Sequence, residues 1–372
     1  MNETTIDFFP AAIIGYFNRV TSKQIPDKFT FWKKDSVFTH KKLLYSFYYL
    51  KDRYKKLTKH QSYFDSIGYY GKRMIDSGGF QVSTINADIK PEDVIDVYKR
   101  ERVDIGFILD LPVSKFWDII KVNKTYENIK YMVSRKSEIP TTALLNVFHG
   151  PSIQLKKEYY SKMSEFNDKL DGWAVGLLKR LPPIFNAWSF MYLYENDKTL
   201  KNKRFHFLGL TGNKNAPVMY YLAKLNLVRH ISFDSTKYGR EGIMYDMRNP
   251  SYLGERLSIS KNAFGKLKSN SFCPCPVCRN IDMDTMQHDC NYVIMHNLFW
   301  EIQKFKFFDS FETADDLKNH VFNNKEYYKE TKVAIQFIDY ALKHGLKVAE
   351  LKYKKELTVK NAVSTKSLEG WF

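Results

Sequence analysis

Three aspartates stand where short β-branched or aromatic runs give way to polar turns: Asp76 closing Arg73–Asp76, Asp110 closing Val103–Asp110, and Asp234 closing His230–Asp234. His149, Gly176 and Gly209 occupy comparable places at the ends of further runs. A lone aspartate at a strand end is ordinarily an Asx turn or an N-cap. Three in equivalent places become a pocket if the strands converge, and neighbouring carboxyls in unlike surroundings take unlike pKa values and roles. Asp76 runs into Ser77-Gly78-Gly79-Phe80-Gln81, whose glycines let backbone amides approach a ligand. A second group is metal-like. All the cysteines (Cys273, Cys275, Cys278, Cys290) crowd into one stretch, which suits a metal site in a reducing compartment better than a disulfide framework. Cys273-x-Cys275-x2-Cys278 supplies three thiolates of a tetrahedral, structural zinc site, with His296, His288 or Cys290 available as the fourth ligand.

The elements that must position these residues alternate. From Arg73 to Asp234, six strand-like runs (Arg73–Asp76, Val103–Asp110, Thr142–Phe148, Trp173–Leu177, Phe205–Leu210 and His230–Asp234) are separated by helix-like segments. One helix opens on Pro91 with Glu92 and Asp93 in its first turn, as helix starts favour. Weaker strands near Ala11–Tyr16 and Ser36–Thr39 raise the count to eight, and a doubly wound sheet would normally show a glycine fingerprint that is missing here. The expectation is an α/β fold, a (β/α)8 TIM barrel, with an inserted zinc-binding subdomain and C-terminal helices. In such a barrel the strand C-termini share one face, where active sites are built. The expected parts are a basic, aromatic N-terminal section of the barrel (1–70), the barrel core with the site (71–256), the zinc-binding subdomain (257–310) and a C-terminal helical region (311–372).

Lys plus Arg number 58 against 41 Asp plus Glu, a formal charge of +17, which points to a polyanionic partner. Positive charge is uneven: the first 70 residues hold 12 basic against 6 acidic groups, Lys179–Arg240 holds 11 against 3, and Arg256–Arg279 holds five against none. With 44% hydrophobic residues the chain can bury a core, which excludes general disorder. No stretch has the apolar length to cross a bilayer, and Glu3 and Asp7 stand where a secretory signal would be basic. No membrane association and a cytoplasmic location are therefore expected.

Met74-Ile75-Asp76-Ser77-Gly78-Gly79-Phe80-Gln81, Phe233-Asp234, and Cys273-Pro-Cys275-Pro-Val-Cys278 followed by His296-Asn297-Leu298 together resemble the tRNA-guanine transglycosylase superfamily over roughly residues 70 to 300. The resemblance implies a pentosyltransferase that exchanges guanine in a polynucleotide for a 7-deazaguanine, such as preQ0 or preQ1, without breaking the backbone. It implies Asp234 as nucleophile and Asp76 as general acid/base. Asp110 would read the base's amino edge, Phe80 and Leu208 would sandwich its faces, and Ser77, His149, Gly176 and Gly209 would line the pocket. His296 would complete the zinc site, and dimers form in the family through the zinc region. The chemistry agrees with the residue types: an oxocarbenium-like sugar carbon calls for one carboxylate to capture it and a second acid to protonate the leaving group.

The chain also departs from the family pattern. Phe148-His149-Gly150 stands where the family has paired glutamines before a glycine, Gly176-Leu177 where it has paired glycines, and Ser235-Thr236-Lys237-Tyr238-Gly239-Arg240 where it has Pro-Thr-Arg. The altered base pocket, and an altered nucleic-acid loop carrying Lys237 and Arg240, favour the branch that modifies DNA. The alternatives are a tRNA enzyme of the queuosine or archaeosine type and a noncatalytic zinc-containing nucleic-acid-binding subunit.

Overall fold

The computed structural model describes residues 3–11, 27–58, 60–113, 118–176, 181–248, 256–259 and 273–358. Eight strands, β1 (Thr5–Pro10), β2 (Lys42–Ser46), β3 (Lys72–Asp76), β4 (Ile105–Phe107), β5 (Ala143–Phe148), β6 (Gly172–Val175), β7 (Arg204–Phe207) and β8 (His230–Ser235), form one sheet in the order β1-β8-β7-β6-β5-β4-β3-β2. Every hydrogen-bonded neighbour pair in it is parallel. A parallel bridge from Ala11 to Leu44 brings the two ends together. Asp7 ties the same seam, accepting from Lys42 of β2 and from Lys72 of β3 at 2.8 Å. The result is a (β/α)8 TIM barrel.

Helices follow from local signals. In the helix Pro91–Glu101 the Asp93 carboxylate reaches back to the Lys90 N–H at 3.3 Å, and Lys99 and Arg100 fill the last turn. Asp118 and Ser152 cap Ile119–Ser134 and Ile153–Met163 by accepting from Lys121 N (3.1 Å) and Leu155 N (3.3 Å). The helix Pro183–Asn196 is apolar nearly all round because it lies between the sheet and the C-terminal helix Lys329–His344.

The structure relocates the N-terminal strands. The first strand among the described residues is Thr5–Pro10; of the expected Ala11–Tyr16 only Ala11 is described, bridged to Leu44 just beyond that strand, and residues 12–16 lie outside the described residues. The second strand is Lys42–Ser46, not Ser36–Thr39, a stretch held in turns by the Ser36 N–H to Lys33 O and Val37 N–H to Lys28 O bonds. Leu43, Leu44 and Tyr45 are the residues that become buried, and burial selects the strand.

After β8 come the helix Lys237–Ile243 and a two-stranded antiparallel ribbon of β9 (Asp246–Arg248) and β10 (Arg256–Ser258). The long helix Cys290–Asp309 packs on Lys237–Ile243 so closely that a Cβ on Gly242 would lie 2.7 Å from Ile294 Cα. Its far end docks on the barrel, with the Phe305 ring tilted against Phe8 and edge-on to Phe233 at ring-centroid distances of 4.7 and 4.6 Å. Each such buried ring contributes about 1.5–3 kcal/mol by removal from water. Among the described residues no helix is long and apolar enough to cross a membrane.

Candidate active site and metal centre

Strand alternation builds the site. The barrel interior is filled by Phe9, Leu44, Met74, Ile105, Phe107, Leu145, Val147 and Ala174. Two residues further along their strands, on the same inward face, come Ser46, Asp76, His149 and Gly176. On β7 and β8 the corresponding steps run from His206 to Leu208 and from Ser232 to Asp234. The C-terminal mouth of the barrel is thus lined by Asp76, His149, Gly176, Leu208 and Asp234, all singled out from sequence, and by Ser46, above a layer that is apolar except at His206 and Ser232.

Asp76 Oδ1 accepts from Ser46 Oγ at 3.0 Å and from the Gly78 N–H at 2.8 Å. The second bond requires the chain to double back, which Gly78 allows at φ +77°. Burial pushes the Asp76 carboxyl up from 3.8 to about 7, against the lowering effect of those two bonds; the charges of Asp234 and Asp110 add to the rise. Three carboxylates therefore share one field. Asp110 is buried, with Oδ2 2.6 Å from His149 Nε2 and Oδ1 3.3 Å from Ser77 Oγ. Gly79 passes directly over it, since a Cβ there would fall 1.8 Å from the Asp110 carbonyl oxygen.

Asp234 Oδ1 receives two donors: the Gly209 N–H at 2.7 Å and His206 Nε2 at 3.1 Å. Gly209 turns its amide inward at φ +69°. The other ring nitrogen of His206 lies 2.8 Å from Ser232 Oγ. Ser46, His206 and Ser232 escaped sequence reading. The available signal was polarity on the inward face of apolar strands, as in Phe205-His206-Phe207.

Leu208 lies beside Gly176, at 3.2 Å from where a Cβ would be, and packs on the inner apolar layer, so both border the cavity mouth. Phe80 is half-buried in the helix Gly79–Ile85 that follows Asp76. Lys237 and Arg240 lie on the helix after Asp234, and the Lys237 ammonium is 3.6 Å from Glu241. Leu177, Lys179 and most of the basic stretch 256–279 lie outside the described residues. At the opposite end of the barrel a wide depression of about 420 Å³ is lined by Asp65, Arg73 and Arg102. Its guanidiniums are engaged: Arg73 bonds Asp65 at 2.7 Å and the Tyr69 carbonyl at 3.1 Å, and Arg102 also bonds Asp65.

Cys273, Cys275, Cys278 and His296 bring their ligand atoms within 4.8 Å of one another, a group that could hold a metal ion. The three sulfurs lie 3.7, 3.3 and 3.2 Å from His296 Nδ1. Those spacings straddle the S···N edge of about 3.6 Å that a tetrahedral zinc site with its usual bond lengths has. His296 Nε2 is 2.8 Å from the Arg248 carbonyl; donating to it places the lone pair on Nδ1, toward the sulfurs. The fourth-ligand alternatives fall away. His288 is exposed and bonded to the Asp284 carbonyl at 2.8 Å, and Cys290 is buried outside the group.

The described residues thus combine a parallel barrel, three acids at its mouth and a Cys3His group beside it. No protein-family model matches the chain. It is similar to the tRNA-guanine(15) transglycosylase of Methanococcus aeolicus, 25% identical over 233 residues, 60% of this chain and 34% of that protein. The corresponding proteins of Methanocaldococcus jannaschii (26% over 221 residues, 57% and 32%) and Methanococcus vannielii (24% over 269 residues, 68% and 38%) are also similar. These likenesses, with the barrel, support kinship with the tRNA-guanine transglycosylase superfamily. The matches span about a third of the length of those curated relatives.

Proposed function

We propose that the protein is a pentosyltransferase that exchanges guanine in a polynucleotide for a 7-deazaguanine base through a covalent Asp234 glycosyl ester. The observation that carries this reading is the division of labour between two carboxyls at one mouth. Asp76 is held near neutrality, suited to giving and retaking a proton, while Asp234 is oriented by two donors on one oxygen. In the first half, Asp234 bonds to C1′ as the C1′–N9 bond breaks, its electron pair leaving with the base, and the protonated Asp76 carboxyl supplies the proton that makes the departing guanine neutral. In the second half, the incoming base yields a proton to Asp76, its nitrogen bonds to C1′, and the Asp234–C1′ bond returns its pair to the carboxylate. Net glycosidic bonding is conserved. Asp110, backed by His149, would accept from the base's amino edge, and Phe80 and Leu208 would flank its faces. The target nucleotide must leave its stack at a cost of a few kcal/mol, and the +17 charge, with Lys237 and Arg240 beside the nucleophile, supports phosphate contacts that offset it.

We assign zinc to the Cys3His group. A four-ligand site is closed, and the ion would supply local folding energy. DNA is the substrate we favour, because His149 on Asp110 and the Ser235–Arg240 segment depart from the tRNA-enzyme pattern; the relatives' names favour tRNA. Retention of both acids speaks against a purely binding subunit. The deciding experiment offers labelled 7-deazaguanine with duplex DNA and, separately, with tRNA. Label in DNA supports the first reading and label in tRNA alone the second. Exchange that survives Asp234→Ala would rule out the mechanism.

A further inference from the structure

We propose that His206, fixed by Ser232, is a positioning residue that sets which oxygen of Asp234 attacks the sugar; this rests on the base-exchange reading above. His206 is completely buried in the barrel interior, with its ring 5.2 Å from that of Phe107. The β7–β8 register pairs it directly with Ser232, so ring and hydroxyl meet at 2.8 Å. The tautomer that uses every donor has the Ser232 hydroxyl donating to Nδ1 and Nε2–H donating to Asp234 Oδ1. Gly209 N–H converges on that same oxygen. Both donors thus occupy Oδ1 and leave Oδ2 to form the bond to C1′.

The arrangement serves both half-reactions. When Oδ2 bonds to C1′, Oδ1 becomes the ester carbonyl oxygen and keeps its two hydrogen bonds. When that bond breaks, the returning electron pair spreads onto Oδ1, where the preorganised donors stabilise it without rearrangement. Loss of the His206 donor should therefore slow chemistry without weakening polynucleotide binding, because His206 lies beneath the mouth and touches the carboxylate, not the substrate.

The test measures exchange of radiolabelled guanine into duplex DNA and into bulk tRNA by the 372-residue chain, wild type and variants, with thermal melts to verify folding. Guanine-for-guanine exchange needs no knowledge of the incoming deazaguanine. His206→Leu is expected to lower kcat by roughly ten- to hundredfold with KM for the polynucleotide unchanged. His206→Gln, which retains an N–H donor, should recover much of that loss. If His206→Leu does not fold, Ser232→Ala serves in its place, with kcat reduced severalfold and restored by Ser232→Thr. A wild-type protein that exchanges guanine while these variants match it, or lose only KM, overturns the positioning role alone. A wild-type protein inactive on both polynucleotides overturns the base-exchange reading and this inference with it.

Discussion

Replacing Asp76 by asparagine should stabilise the protein at alkaline pH while abolishing its chemistry. The Asp76 carboxyl is raised from 3.8 to about 7, chiefly by burial, so the folded state holds a proton that the unfolded chain has already released. Between those values the folded state binds more protons, and stability falls as pH rises. Below about 4 both states are protonated and the effect vanishes; above about 7 both are ionised and the full penalty applies. Three decades of proton affinity at about 1.4 kcal/mol each give a ceiling of roughly 4 kcal/mol. In Asp76→Asn the side-chain amide would keep an oxygen for the Ser46 hydroxyl and the Gly78 N–H, so little else changes. Urea unfolding of both proteins at pH 4.5 and pH 8 measures the difference. The variant should gain little at the lower pH and about 2–4 kcal/mol at the higher. Parallel pH dependence of the two proteins, or a variant less stable at pH 8, would refute the claim that this carboxyl is strained by desolvation.

The same carboxyl predicts that kcat/KM for the polynucleotide falls about tenfold per pH unit above about 7, as the protonated fraction of Asp76 declines; a pH–rate profile checks this. Gly79→Ala would push a methyl into the Asp110 carbonyl and should reduce exchange by roughly a hundredfold or more, whereas Gly212→Ala, with open space around it, should be silent in the same assay. Metal analysis should find about one zinc per chain, retained in Cys290→Ser and lost in Cys278→Ser. Chelation should lower the thermal midpoint, and zinc should restore it.

Much of this site was legible because the chemistry-bearing residues sit at the ends of continuous apolar runs. Met74-Ile75 and Leu144-Leu145 are buried on both faces, the mark of parallel strands under helices. The N-terminal strands were misplaced for reasons outside the local sequence. Asp7 interrupts β1, and its desolvation by burial is outweighed by Lys42 and Lys72, which hold its pKa below the usual value. Behind Lys41 and Lys42, the Leu43-Leu44-Tyr45 run looks weaker than Val37-Phe38, until the barrel closes over it. Ser46, His206 and Ser232 were missed because Ser46 and His206 act on an aspartate of a neighbouring strand and Ser232 acts through His206; inward polarity marked them, but no spacing in one dimension reports such a pairing. His149, expected to line the base pocket, has its Nε2 against Asp110.

The Cys3His group and Asp234 are linked through one network of buried ion pairs and hydrogen bonds. Arg248 gives its carbonyl to His296 Nε2, while its guanidinium bonds Glu241 at 2.7 Å and also reaches Glu301. Glu241 belongs to the helix that begins three residues after Asp234. Glu301 lies on the helix that carries His296, and it holds Lys304 at 2.9 Å. Lys304 in turn donates to the Thr211 carbonyl at 2.9 Å, two residues beyond the Gly209 amide that binds Asp234. Charges this deeply buried are costly singly, and removing one partner of such a pair typically costs about 3–5 kcal/mol. What they secure here is placement. The helix that carries His296 braces both segments flanking Asp234, so a zinc ion bound as proposed, with no open coordination position, would still help fix where the Asp234 carboxylate stands.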